Sequence, residues 1–171
     1  MPVSAGATDA AVAASGPDWI GAWAQAPQPA LPGDRTTFNN QSIRLIEHVS
    51  CGGGRWRIHI SNIYGDSPLL IGAAHVARRT AGSAIDTSTD RPLSFAGQNA
   101  ITIPPGTAAL SDPIDLEVPA LSDLAVSLYL PRPTVVTTTH ILTMQTGYVS
   151  QDPGDSTGAA ESPHGRNRIG R

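Results

Sequence analysis

From Asp18 onward, short apolar stretches alternate with polar positions and are punctuated by Gly, Pro, Asn and Asp. Residues 41–49 (QSIRLIEHV) set Ile43, Leu45 and Val49 on one side, with Arg44 and His48 opposite. In residues 55–63 (RWRIHISNI), Trp56, Ile58 and Ile60 point one way and Arg55, Arg57, His59 and Ser61 the other. A period of two with one wet face predicts antiparallel strands. Between these segments, Cys51 to Gly54 (CGGG) can adopt the positive φ of a tight reversal, so the two are expected to pair as a hairpin.

The same punctuation continues. Residues 62–68 (NIYGDSP) predict a turn, 69–77 (LLIGAAHVA) a strand and 80–90 a polar loop, followed by apolar pieces at 92–95 and 100–103. Pro104-Pro105-Gly106 forces a break, because neither proline can donate to a ladder. Ile114, Leu116 and Val118 alternate with Asp115 and Glu117; Leu124, Val126, Leu128 and Leu130 alternate with Ala125, Ser127 and Tyr129. Residues 135–143 (VVTTTHILT) are rich in β-branched side chains, which suit a pleated, half-buried surface. No helical period persists over three turns. The expectation is an all-β domain over residues 18–150, an antiparallel β-sandwich or jelly roll of about eight to ten short strands.

The two ends read differently. Residues 1–17 are small and weakly apolar, and predict a disordered leader or the remnant of a signal peptide; they lack the basic n-region and the apolar core of about 7–15 residues of an intact one. Residues 151–171 (QDPGDSTGAAESPHGRNRIGR) carry one large aliphatic residue, Ile169, and predict a disordered tail. The Arg-, Pro- and Gly-rich end resembles a GC-rich gene read out of frame, so a frameshift near codons 156–163 is expected.

Composition narrows the function classes. The net charge is −3 and all eleven positive side chains are Arg, with no basic patch for phosphate, so nucleic acid is not an expected partner. No run reaches the roughly 18 apolar residues of a membrane span. The single Cys51 cannot form an internal disulfide, and no Cys/His spacing resembles a zinc site, so no metal or other cofactor is expected.

Gly154-Asp155-Ser156-Thr157-Gly158 matches the G-x-S-x-G nucleophile elbow, and Glu161 and His164 could complete an acid–base set. An elbow needs a buried strand before the serine and a helix after it. Here Gln151-Asp152-Pro153 precedes and Pro163 soon follows, which predicts a polar turn and no catalytic residues. His59, His75 and His140 lie in separate strand patterns and read as structural or solvent-facing. Trp56 alternates with core positions and reads as core. Trp19 and Trp23, four apart on one face of a strand, and Tyr64 could form a ligand-stacking surface. Asn40-Gln41-Ser42 is formally a glycosylation sequon.

The ordered blocks 19–27 (WIGAWAQAP), 37–77, 91–97 (RPLSFAG), 101–131 and 146–155 (TGYVSQDPGD) resemble the N-terminal accessory domain of bacterial SGNH (GDSL-type) hydrolases, over roughly residues 18–158. The resemblance implies a β-rich domain that precedes an α/β catalytic domain of esterase or lipase type, in a secreted or periplasmic protein. The catalytic domain of that family supplies the serine of a GDS block, oxyanion-hole Gly and Asn, and an Asp-x-x-His block. None of these can be placed here, and Gly154-Asp155 aligns with a Gly-Asp that ends the accessory domain, so Ser156 inherits no catalytic role. The expected function is a non-catalytic accessory β-sandwich, truncated or frameshifted, whose partner is an SGNH catalytic domain or, by self-association, a second copy. The alternatives are a stand-alone carbohydrate-binding module using Trp19, Trp23 or Tyr64, and an ester hydrolase using Ser156.

Overall fold

The computed structural model describes residues 18–31, 33, 35–140 and 145–161, and the backbone of 164–166. The leader 1–17, the end of the β-branched run at 141–144, Pro163, the His164 side chain and residues 167–171 lie outside the described residues.

Among the described residues the chain forms, in order, β1 (Gln28–Pro29), β2 (Thr37–Phe38), β3 (Gln41–Val49), β4 (Gly53–Trp56), β5 (His59–Asn62), β6 (Leu69–Ile71), β7 (Ala73–Ala81), β8 (Ala84–Ile85), β9 (Arg91–Pro92), β10 (Ile101–Ile103), β11 (Thr107–Leu110), β12 (Ile114–Val118), β13 (Ser122–Leu130), β14 (Thr134–Val135), β15 (Thr138–Thr139), β16 (Tyr148–Ser150) and β17 (His164–Arg166). The helical content is a single 3-10 turn, Thr87–Thr89, capped by Asp86. The all-β expectation holds, and every strand pairing is antiparallel.

One layer is a central sheet in the order β17-β16-β3-β13-β7-β8, with β9 also on β7. Its axis is β13, which pairs along its whole length with β3 and over Leu124–Tyr129 with β7. The ladders β4–β12, β5–β11 and β6–β10 form the other side of the sandwich. Between them sits one core, with Val49, Val76, Leu124, Val126, Leu128 and Leu130 from the central sheet meeting Trp56, Ile60, Ile71, Ile103, Leu116 and Val118. Burial of this apolar surface, at roughly 25 cal/mol per Å², is the main stabilising term. Trp56 is core as expected, and its indole N–H donates to the Gly53 and Leu116 carbonyls.

The strands are more numerous than the eight to ten expected, in part because several are two-residue pairings and in part because two long apolar runs change partners midway. The run 69–77 breaks at Gly72: β6 pairs with β10 and β7 with β13. A Cβ at Gly72 would lie 2.8 Å from the Tyr129 ring, so only glycine lets the chain turn this corner. The run 55–63 breaks at Arg57–Ile58, where the buried Ser111 hydroxyl accepts the Ile58 N–H and Arg57 Nε donates to the Ser111 carbonyl. A serine thus substitutes for the ladder while the partner changes from β12 to β11.

The expected 41–49/55–63 hairpin does not form. β3 pairs with β13 and β16, while β4 and β5 pair with β12 and β11, so Cys51–Gly54 carries the chain from one layer to the other. This crossing runs against the β12–β13 connection. A Cβ on Gly52 would stand 2.6 Å from the Val118 carbonyl oxygen and 2.7 Å from the Ala120 nitrogen. Gly52→Ala is therefore expected to cost about 2–3 kcal/mol, read as a lower urea midpoint at unchanged slope. An unchanged midpoint would show that the two backbones do not approach this closely.

Candidate functional site

Alternation in β3 and β13 suggests a sheet with one wet face, yet both faces of the central sheet are covered. On the outer face, Ser42, Arg44 and Ile46 of β3 and Ala125 and Ser127 of β13 are buried, and so is Ala77 of β7. Register places Arg44 and His75 on either side of Ser127, and Ile46 and Ala77 on either side of Ala125. Ile46, Ala77, Ala125 and Ile85 make a second small apolar cluster, with Tyr148 packed against it.

What covers this face is the segment expected to begin a disordered tail. Residues 151–161 lie back over the sheet, and Thr157 is 2% exposed. The cause is electrostatic. Arg44, expected on the wet side of its strand, is 1% exposed and uses its donors on the cover: Nη2 to the Thr157 and Ala159 carbonyls (3.1 and 2.9 Å), Nη1 to the Ser83 carbonyl, and Nε to Ser127 Oγ (2.8 Å). A buried guanidinium is tolerated only when its N–H groups find acceptors. Burial lowers the Arg44 pKa and the Asp90 carboxylate raises it again. Ser42 Oγ donates to the Gly154 carbonyl and accepts the Ser156 N–H, Gly154 N–H donates to Asn40, and Ile85 N–H donates to Ala160.

Within the cover, the G-x-S-x-G residues form a local turn. The Asp155 carboxylate accepts the Thr157 N–H (2.9 Å) and hydroxyl (2.7 Å), and Ala159 N–H closes on the Ser156 carbonyl (3.1 Å). Bends precede it, and no helix follows among the described residues. Ser156 Oγ is buried without a hydrogen-bond partner. A histidine–carboxylate pair does exist on this face: His75 Nδ1 meets Asp90 Oδ2 at 2.8 Å. Gly158 lies against it, where a Cβ would be 3.3 Å from Asp90 Oδ2 and 3.5 Å from His75 Cε1. Ser156 makes no hydrogen bond to that pair. Glu161 is exposed.

The other expected positions are scattered. Trp19 (45% exposed) and Trp23 (40%) lie in an irregular segment before β1, not in a strand. Trp19 faces the Arg57 guanidinium, 5.7 Å from the ring centre. Tyr64 sits in the turn after β5, where its N–H donates to Thr138 Oγ1. Trp19 and Tyr64 are thus set against different elements. His59 is exposed, and His140 Nδ1 donates to the Ala26 carbonyl (3.1 Å). The sequon lies in folded structure: Tyr129 O–H donates to Asn40 Oδ1, and Ser42 is buried. A recess of about 300 Å³ opens between Gly54, Arg78, Arg91 and Glu117, with Arg78 already paired to Asp86 at 2.7 Å. Among the described residues no group of three or more His, Cys, Asp and Glu could hold a metal ion, and no helix is long and apolar enough to cross a membrane.

No protein-family model matches the chain, and no curated protein matches it.

Sequence reasoning missed Arg44 as the organiser of this face. The signal was Ile46, an apolar residue between Arg44 and His48 on the side read as wet, opposite small residues (Ala125, Ser127) that leave room for a cover.

Proposed function

We propose that this chain is a non-catalytic accessory β-sandwich of the SGNH hydrolase kind, acting by association with an α/β catalytic domain. The observation that carries the reading is the state of Gly154–Gly158. The one motif that could have made the chain a hydrolase is a turn bound to the sheet, with Ser156 Oγ enclosed and unpaired. The ordered sequence blocks support the family, and the exposed Trp19, Ile20 and Trp23 offer apolar surface for a partner.

The purified chain is expected to hydrolyse short p-nitrophenyl esters no faster than its Ser156→Ala variant, and to bind an SGNH catalytic domain in trans when titrated in a calorimeter. Serine-dependent turnover, or a monodisperse monomer that ignores such a domain, would overturn the reading. Ser156→Ala is also expected to leave stability unchanged or slightly raised, since it removes a buried hydroxyl without a partner.

A carbohydrate-binding module is a second reading, favoured by the exposed Trp19 and Trp23. Glycan-array binding that disappears in Trp23→Ala would select it.

A further inference from the structure

The way residues 154–160 are held has a chemical pattern. The fixed groups are almost all main chain: Gly154 N–H and C=O, Ser156 N–H, and the Thr157, Ala159 and Ala160 carbonyls. Their partners come from the domain: Asn40, Ser42, Arg44 and Ile85. A short turn held mainly through its main chain, with one side chain buried and one glycine set close to the wall, is bound as a docked peptide would be. Here the pocketed side chain is Thr157, at 2% exposure. The glycine is Gly158, on the exposed side of the turn, where a Cβ would stand 3.3 Å from the Asp90 carboxylate of the His75–Asp90 pair.

We infer that the outer face of the central sheet is a peptide-binding groove specific for a Gly-Asp-Ser-Thr-Gly-Ala segment, and that the chain's own residues 154–159 are its resident ligand. Arg44 is the principal donor of the groove, because its fork reaches two carbonyls of the ligand and anchors on Ser127 and Ser83. The groove would accept the same peptide from a second chain, whether or not the domain partners a hydrolase.

The test uses the full chain with a specific protease site inserted between Asp152 and Pro153, both exposed. After cleavage, the fragment from Pro153 onward is expected to co-elute with the domain on gel filtration. It should then exchange with a fluorescent synthetic peptide of the same sequence, followed by anisotropy. A Ser156→Ala peptide should compete as well as the parent, and a Gly158→Val peptide about tenfold more weakly, a difference of about 1.4 kcal/mol. Loss of the fragment on cleavage, with the domain folded or unfolded by circular dichroism, would overturn the inference. Equal competition by the Gly158→Val peptide would do the same.

Discussion

Arg44→Met is expected to destabilise the domain by about 3–4 kcal/mol, the largest effect of any single substitution outside the core. The methionine fills much of the volume but leaves the Thr157, Ala159 and Ser83 carbonyls and the Ser127 hydroxyl without their donor. Each charge-assisted bond contributes more than a neutral one, and the carbonyls beneath the cover regain water only if the cover lifts. Two measurements check this. Urea unfolding should show the lower midpoint, and hydrogen exchange at Ile85, whose N–H donates to Ala160, should rise selectively over that of β13. Arg44→Lys should recover only part of the loss, since an ammonium cannot span Ser127 and the Thr157 and Ala159 carbonyls at once. A variant as stable as the parent would show that small apolar contacts, and not the guanidinium, hold residues 151–161.

The second large effect concerns Glu47 and pH. Glu47 falls on the core-facing side of β3, in register with Leu124, and burial pushes its carboxyl up from 4.5 to about 8. The folded state then holds a proton that the unfolded chain has released, so between about pH 4.5 and 8 stability falls as pH rises. After allowance for its partial exposure to solvent, the loss across that window is about 2–3 kcal/mol. Glu47→Gln should remove this slope, matching the parent near pH 4 and exceeding it by about the same 2–3 kcal/mol near pH 9. The aspartates act in the opposite sense at lower pH. Asp123 is held below its usual value first by its bond from His48 and then by Arg79, and Asp112 by Ser94 and the Gly97 and Ala96 N–H groups. Their contribution is present above 3.8 and is lost as pH falls through their lowered values. Chemical denaturation of parent and variant across this range tests the assignment; parallel curves would place the Glu47 carboxylate in water.

Which strands would form was largely legible. Leu124 to Leu130, Ile114 to Val118 and Ile43 to Val49 declare themselves by period two, and each is a strand with its apolar side in the core. Pattern could not say which strand lies beside which. Cys51–Gly54 has the composition of a hairpin turn, but the same glycines also allow a close crossing, and Gly52 is there because the β12–β13 connection passes within contact of it. Gly72 was equally visible as a residue and equally silent about the corner it makes.

The sequence by itself determined an all-β domain and the apolar side of each long strand. These are local properties, set by side-chain alternation, proline and glycine within a few residues. Only the tertiary structure decided that the central sheet is covered on both faces, that residues 151–161 are the cover, and that Arg44 holds them. That arrangement depends on Arg44 meeting acceptors 39 to 115 positions away along the chain. No local pattern encodes such a meeting. A charged side chain reads as solvent-facing until the carbonyls that satisfy it are brought to it by the fold.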